Sequence, residues 1–208
     1  KELDTLHRLK ELQEQQLAEY DTLAQATFHS MFGDPIENEK GWEVKKMGEV
    51  CEITSSKRIF AKEYQESGIP FYRSKEIIEK SKKLPVSLEL FISKERYLEI
   101  KTSFGTPKIG DILMTAVGTI GEIWVVDTDD SFYFKDGNIL WLKISKSGNS
   151  IFFKYSLSIL VSEYKKRMSI GSAYNALTIV NLKNMQSILP PISLQNQFAE
   201  RIEKIEAQ

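Results

Sequence analysis

Catalysis needs nucleophiles, paired carboxylates, metal ligands or a phosphate cradle, and this chain offers few of them. Glu99-Ile100-Lys101 matches the second half of the Asp…Glu-x-Lys set used by metal-dependent nucleases, but the nearest aspartate upstream is Asp34, about 65 positions earlier. A methyltransferase acting on an exocyclic amine is expected to carry an Asn/Asp-Pro-Pro-aromatic tetrad. The Pro-Pro pair here lies in Leu189-Pro190-Pro191-Ile192, which has neither a side chain to hold the amine nor a ring to stack on the base. Gly118-Thr119-Ile120-Gly121 is too short for a phosphate loop and precedes a strand-like run, so it reads as a hairpin turn. Cys51 is the single cysteine, and the two histidines, His7 and His29, lie far apart near the start. This pattern supports neither Cys/His nor Ser/His nucleophilic catalysis, and neither a zinc site nor a disulfide framework. The expectation is a binding protein that needs no cofactor and performs no chemistry itself.

Charge gives that expectation a direction. The net charge of −1 hides a segregation: Trp42 to Leu189 holds 22 Lys and Arg against 17 Asp and Glu, and the two ends together hold 6 against 12. A polyanion prefers the mildly basic middle. Apolar residues make up 41% of the 208, enough for an ordinary soluble core. No apolar run approaches the ~18 residues of a membrane span. The start, Lys1-Glu2-Leu3-Asp4, shows neither a signal-peptide pattern nor an initiator Met. A reducing cytoplasm is the expected compartment, and a fragment or half-subunit the expected status of the chain.

The elements that must position such a surface are legible as periodicities. Residues 2–32 read as one long helix: Leu3, Leu6, Leu9, Leu12, Leu17, Tyr20, Leu23, Ala24, Phe28 and Met31 recur at helical spacing, and Gly33 and Pro35 stop it. A second amphipathic helix is expected from Ser193 as N-cap, with Leu194, Phe198, Ile202 and Ile205 on one face. Two such helices suit an antiparallel coiled-coil arm, within one chain or between two. The middle is mixed, with strands expected at Glu49–Thr54, Pro70–Arg73, Asp111–Ala116, Gly121–Val126 and Asn138–Ile144, and a helix over 151–168. Shorter helical or loop pieces are expected at Glu63–Ser67, Ile77–Lys82, Ser93–Ile100 and near Asn181–Met185, with strand or turn pieces at Asn175–Thr178 and Ser187–Pro190. Phe132-Tyr133-Phe134, Trp42, Trp124 and Trp141 read as core. The fold class is α+β: a mixed domain over 34–190, a helical arm over 1–33, and the start of a second arm helix over 191–208.

Several segments, taken in order, resemble one known family. The run from Gly41-Trp42-Glu43-Val44 to Thr54 resembles the opening of target-recognition domains in specificity subunits of type I restriction–modification enzymes. Gly68-Ile69-Pro70-Phe71-Tyr72-Arg73-Ser74-Lys75 resembles their next strand and polar loop, and Gly110-Asp111-Ile112-Leu113-Met114-Thr115 with Gly118 to Gly121 their central hairpin. Ile188-Leu189-Pro190-Pro191 followed by Leu194-Gln195-Asn196-Gln197 resembles the exit into a spacer helix, and Phe28 to Gly33 the end of the spacer helix before the second such domain. Two features depart from the family: Ser55-Ser56-Lys57-Arg58 replaces the usual Gly-Lys or Gly-Thr after the opening strand, and one recognition domain stands where a full subunit has two. The resemblance implies sequence-specific recognition of double-stranded DNA, a split target site, methyltransferase subunits as partners and a motor–nuclease subunit beyond them. Those partners carry the adenosyl cofactor and ATP.

Phosphate contacts supply affinity and register, while base edges supply sequence. Arg58, Arg73 and Asn175 are the candidates for base contacts, because Arg pairs with two acceptors of guanine and Asn with two groups of adenine. Lys57, Lys75 and Lys166 are the phosphate candidates, with Lys62, Ser74, Arg167 and Ser172 beside them and Thr115 and Tyr174 as secondary base contacts. Leu6, Leu9, Leu17 and Leu23, with Phe198, Ile202 and Ile205, are the expected packing residues between arm helices, including those of a second copy. The alternative at this level is an assembly or inhibitory module whose middle domain does not read DNA.

Overall fold

The computed structural model describes residues 2–168 and 176–207, with the backbone alone for residues 2–7, 9–11, 13, 14, 17 and 168. Helix α1, Glu2–Phe32, has 31 residues and spans about 46 Å at 1.5 Å per residue. It ends because Gly33 adopts φ +75° and its amide returns to the carbonyl of His29 at 2.8 Å. The remaining orphan carbonyls find side chains: Lys40 Nζ donates to Ser30 O at 2.6 Å, and Trp42 Nε1 to Phe32 O at 2.9 Å. Gly33→Ala is expected to destabilise the chain by about 1–2 kcal/mol, the cost of forcing a Cβ into the left-handed region. A Cβ there also lands 2.3 Å from Glu39 Oε1. Denaturant unfolding monitored by circular dichroism reads this directly.

Strand β1, Val44–Lys46, follows, then the short helix α2, Met47–Val50, and strand β2, Cys51–Thr54. The expected strand at Glu49–Thr54 thus loses its first two residues to a helical turn that buries Met47 and Val50. A 3-10 turn, Ala61–Glu63, leads to β3, Ile69–Tyr72, α3, Ser74–Ser81, β4, Phe91–Ile92, and α4, Lys94–Ser103. Then come β5, Ile112–Thr115, β6, Ile123–Val125, β7, Tyr133–Phe134, β8, Ile139–Ile144, and the helix α5, Ser150–Met168. Helix α6, Ile179–Asn184, strand β9, Gln186–Ile188, and helix α7, Ile192–Glu206, complete the order.

Three sheets share the work. The central one runs β2-β8-β5-β6, antiparallel throughout, and its turn at Gly118–Gly121 is the expected hairpin. A smaller sheet runs β4-β3-β7, in which β3 and β7 are parallel. The two-stranded pair β1-β9 clasps the two ends of the domain where the arm leaves it, and Leu189 N donates to Glu43 O at 2.7 Å.

The arm is rooted in aromatic packing. Phe28, Phe32, Phe152 and Phe198 are fully buried, with ring centroids 4.9 to 5.6 Å apart. Helix α7 begins at Ile192 with Pro191 as N-cap, two residues before the expected Ser193 cap, and Pro191 supplies no side-chain bond. Gln195 compensates from inside. It is fully buried, accepts from Asn149 N at 2.9 Å and donates to Pro190 O at 2.7 Å, so α7 is pinned to the start of α5. Phe198 and Ile202 therefore lie inside the chain's own core, against α1, so this face follows the within-chain alternative for the two terminal helices and is not available as a seam with a second copy. Ile205 is half-buried against the same core. On α1, Leu12 and Leu23 stay exposed on one face, about three helical turns apart, and the side chains of Leu6, Leu9 and Leu17 lie outside the described residues.

Candidate nucleic-acid interface

The parallel β3/β7 pair decides where basic side chains converge. Tyr72 pairs with Phe134, and Lys135 N donates to Tyr72 O at 2.8 Å, so the residues after both strands emerge at one end of the sheet. Arg73 and Lys135 are those residues. With Ser74, Lys75, Tyr64, Glu89, Leu90 and Asn138 they line a groove of about 380 Å³. The loop after β2 joins the same rim: Ser55 Oγ donates to Ile139 O, Lys57 N to Tyr133 Oη at 2.6 Å, and Arg58 Nε to Asp136 at 2.8 Å. Asp136 also lies 3.9 Å from Lys135 Nζ, which links Arg58 to the groove.

Beyond Asn138 the rim continues. Asn138 O accepts from Ala116 N, Ala116 O accepts from Leu177 N, and Val117 bridges Ala176. Lys165 Nζ reaches the carbonyl of Ile120 at 3.1 Å, so the basic end of α5 abuts the β5–β6 turn. Gly121 makes this approach possible, since a Cβ there meets Val161 at 2.8 Å.

Each groove cation has an acidic partner, and the partners differ in kind. Glu76 is buried, at 1% exposure. Its carboxylate accepts from Arg73 N at 2.7 Å and from Arg73 Nη2 at 2.8 Å. Glu89 is half exposed and bridges Arg73 Nη2, at 2.7 Å, and Lys75 Nζ. The hydrogen bond to Glu76, then that to Glu89, hold the Arg73 pKa above its ordinary value. Lys75 and then Arg73 pull the Glu89 carboxyl down to about 2, so it is ionised at any physiological pH. Ser74 Oγ is buried and has no hydrogen-bond partner among the described residues.

The structure thus brings together Lys57, Arg58, Arg73, Ser74 and Lys75 from the sequence-level set. Lys57 is exposed, with its ammonium 4.1 Å from the Phe104 ring centroid, and Lys62 is exposed on the 3-10 turn. Lys166 and Arg167 end α5 and pair with Glu163 on their own helix, at 3.5 and 3.3 Å. Ser172, Tyr174 and Asn175 lie outside the described residues. Thr115 is a correction: it is fully buried, and its hydroxyl is bound to Thr119 O and Glu122 N inside the hairpin, so it presents nothing to a ligand. Lys135, Asn138, Tyr64 and Glu89 were missed by sequence reasoning. A basic residue directly after Phe132-Tyr133-Phe134 was the available signal for Lys135. Glu99 and Lys101 lie on α4, where Glu99 pairs with Arg96 at 2.8 Å. Among the described residues no group of His, Cys, Asp and Glu is arranged to hold a metal, and no helix is long and apolar enough to cross a membrane.

Comparison with known proteins places this architecture. A family model described as type I restriction modification DNA specificity domain matches residues 39–208. A protein of Haemophilus influenzae (strain ATCC 51907 / DSM 11121 / KW20 / Rd), named putative type I restriction enzyme specificity subunit S.HindORF215P, is 33% identical over 165 residues, which is 79% of this chain and 40% of that protein. The crystal structure of the HsdS subunit from Thermoanaerobacter tengcongensis superimposes with a TM-score of 0.64 at 19% identity, covering 99% of this chain and 48% of that one. The type I S subunit from M. genitalium gives a TM-score of 0.65 at 15% identity, over 99% and 52%. A chain from a study of complex assembly and conformational transition of the type I R-M system gives 0.67 at 21% identity, over 99% and 49%. The chain therefore spans 40% of its curated relative and about half of these solved subunits.

Proposed function

The chain belongs to the family of type I restriction–modification DNA specificity domains, and from that premise we propose that residues 34–190 dock on a DNA duplex and read part of a target sequence. The observation that carries the reading is the convergence of Arg73, Lys75 and Lys135 in one groove, with Arg58 in line on its rim. Lys75, Lys135 and Lys57 engage phosphates, while Arg58 and Asn138 face base edges, where Arg and Asn each make two-point contacts; Arg73, whose guanidinium Glu76 partly holds, turns its remaining donors to the docked duplex, to a phosphate or to a base edge. Asn175, Tyr174 and Ser172, which lie outside the described residues, stay in the proposal as base and phosphate contacts, and so do Lys166 and Arg167 at the basic end of α5.

The paired helices α1 and α7 act as the spacer that holds this domain at a set distance from companions. In this proposal methyltransferase subunits dock along the arm, a restriction motor–nuclease subunit joins through them, and a second recognition domain reads the other half of a split site. A second copy of the chain is one source of that domain, through the exposed Leu12–Leu23 face of α1. Methyl transfer and cleavage belong to the partners, and this chain supplies the address.

The test is the salt dependence of binding to duplex DNA. Counterion release lowers log K by about 0.9 per phosphate contact for each decade of salt. Lys75→Ala combined with Lys135→Ala is expected to weaken binding across all sequences and to flatten that slope by about 1.8. A salt-insensitive chain, or a double variant with an unchanged slope, removes the DNA-reading proposal. One observation favours the second reading, an assembly or inhibitory module: every cation named in the groove is already matched to a carboxylate of the same chain. Salt-insensitive binding to protein partners alone supports that reading.

A further inference from the structure

We propose that Glu89 is an internal stand-in for a DNA phosphate, holding the Arg73–Lys75 fork in the free protein and giving way to a backbone phosphodiester on docking. The inference rests on the DNA-reading proposal above and adds to it a residue that sets affinity. The geometry is that of an anion already in place. One Glu89 oxygen meets Arg73 Nη2 at 2.7 Å and the other meets Lys75 Nζ, as the two non-bridging oxygens of a phosphodiester do when two cations share it.

The two carboxylates on Arg73 differ in what can replace them. Glu76 is buried and binds both the backbone and the side chain of Arg73, so it keeps the guanidinium aimed at the groove whatever else happens. Glu89 sits on the solvent side, 51% exposed, in the segment between α3 and β4. Residues 82–85 and 87–89 of that segment are exposed, and Lys83 takes a left-handed φ of +55°. The following residue is fixed, since Leu90 O accepts from Phe71 N at 2.8 Å, so the carboxylate is held near the groove without being buried in it. An exposed pair of this kind is weak enough for a polyanion to displace. Once it leaves, the unpartnered Ser74 hydroxyl and Lys135, which line the same groove, are further donors to the incoming oxygen.

Displacing Glu89 imposes one and the same penalty on every duplex, target or not. Glu89→Gln, which keeps the shape and removes the charge, is therefore expected to tighten binding to a random-sequence duplex pool by about fivefold and to steepen the salt slope by about 0.9. The sequences enriched by selection from the same pool stay the same. Adding Lys75→Ala to Glu89→Gln cancels most of the gain, and Glu89→Ala repeats it, with circular dichroism confirming the fold of each variant. Tighter binding by Glu89→Gln, even where the parent chain binds too weakly to measure, supports the inference. Unchanged affinity and slope in a chain that binds DNA overturn it and leave DNA reading intact. Loss of enriched sequences with random binding unchanged also overturns it, because the carboxylate then reads a cytosine amine. Salt-dependent binding by neither protein overturns both proposals.

Discussion

Phe198→Ala is expected to cost about 3–5 kcal/mol of stability, the range for truncating a fully buried aromatic ring that leaves a cavity. The ring, carried by α7, touches both α1 and α5: its centroid lies 5.6 Å from Phe28, 5.5 Å from Phe32 and 5.3 Å from Tyr155. The surroundings cannot close over the hole. Phe28 and Phe32 are held by a helix whose end is capped through Gly33, Lys40 and Trp42, and α7 is pinned by the buried Gln195. Against a typical total of about 5–15 kcal/mol, this is a large share of what keeps the chain folded. Ile205→Ala, half-buried near the far end of α7, serves as the comparison and is expected to cost much less. The measurement is the urea midpoint at constant slope, with limited proteolysis after Pro190-Pro191 as a local readout. A loss below about 1 kcal/mol for Phe198→Ala is incompatible with α7 packing against α1 as described.

The parts of this fold that were legible in sequence are those whose signal is local. Helix α1 announces itself through thirty residues of helical spacing and a Gly33-Pro35 stop, and the central strands through short apolar runs bounded by glycine. The hairpin at Gly118–Gly121 follows from two glycines that take φ +73° and +92°. What was not legible depends on partners distant in the chain. Strands β1 and β4 have three and two residues and exist because β9 and β3 lie beside them. The pairing of β3 with β7 joins segments about sixty residues apart, and that pairing alone brings Lys135 beside Arg73. Glu89 reaches the same groove because Leu90 is tied to Phe71. The stripe Phe198–Ile202 reads as an apolar face that suits pairing with the first helix, within one chain or between two; the fold selects the chain's own α1 and adds α5, which the stripe does not name. Thr115 was misread for a related reason. A hydroxyl at a hairpin end suits a ligand or a turn equally well by residue type, and only the fold shows that the turn uses it.

Arg73 illustrates how the residue best suited to read DNA is also one the fold cannot lose cheaply. Arg73→Ala is expected to lower stability by about 3 kcal/mol, the low end of the range for leaving a buried charge without its partner, because Glu76 is 1% exposed and Arg73 about a third. Reduced DNA binding in that variant alone therefore says nothing about base contacts. The double variant with Glu76→Gln separates the two roles. A glutamine at that position keeps an oxygen for the Arg73-position amide, which Glu76 now accepts at 2.7 Å, and carries no charge to strand. Stability is then expected to return to within about 1 kcal/mol of the parent, read from the same denaturant titration. If the enriched DNA sequence stays altered in this refolded background, the guanidinium reads a base, since discrimination of about 1–3 kcal/mol belongs to such a contact. If the parent sequence preference returns along with stability, Arg73 only orients the groove, and the base contact passes to Arg58 and Asn138. Stability that stays low in the double variant contradicts the buried pair itself, and with it the rigid fork on which phosphate binding at Lys75 depends.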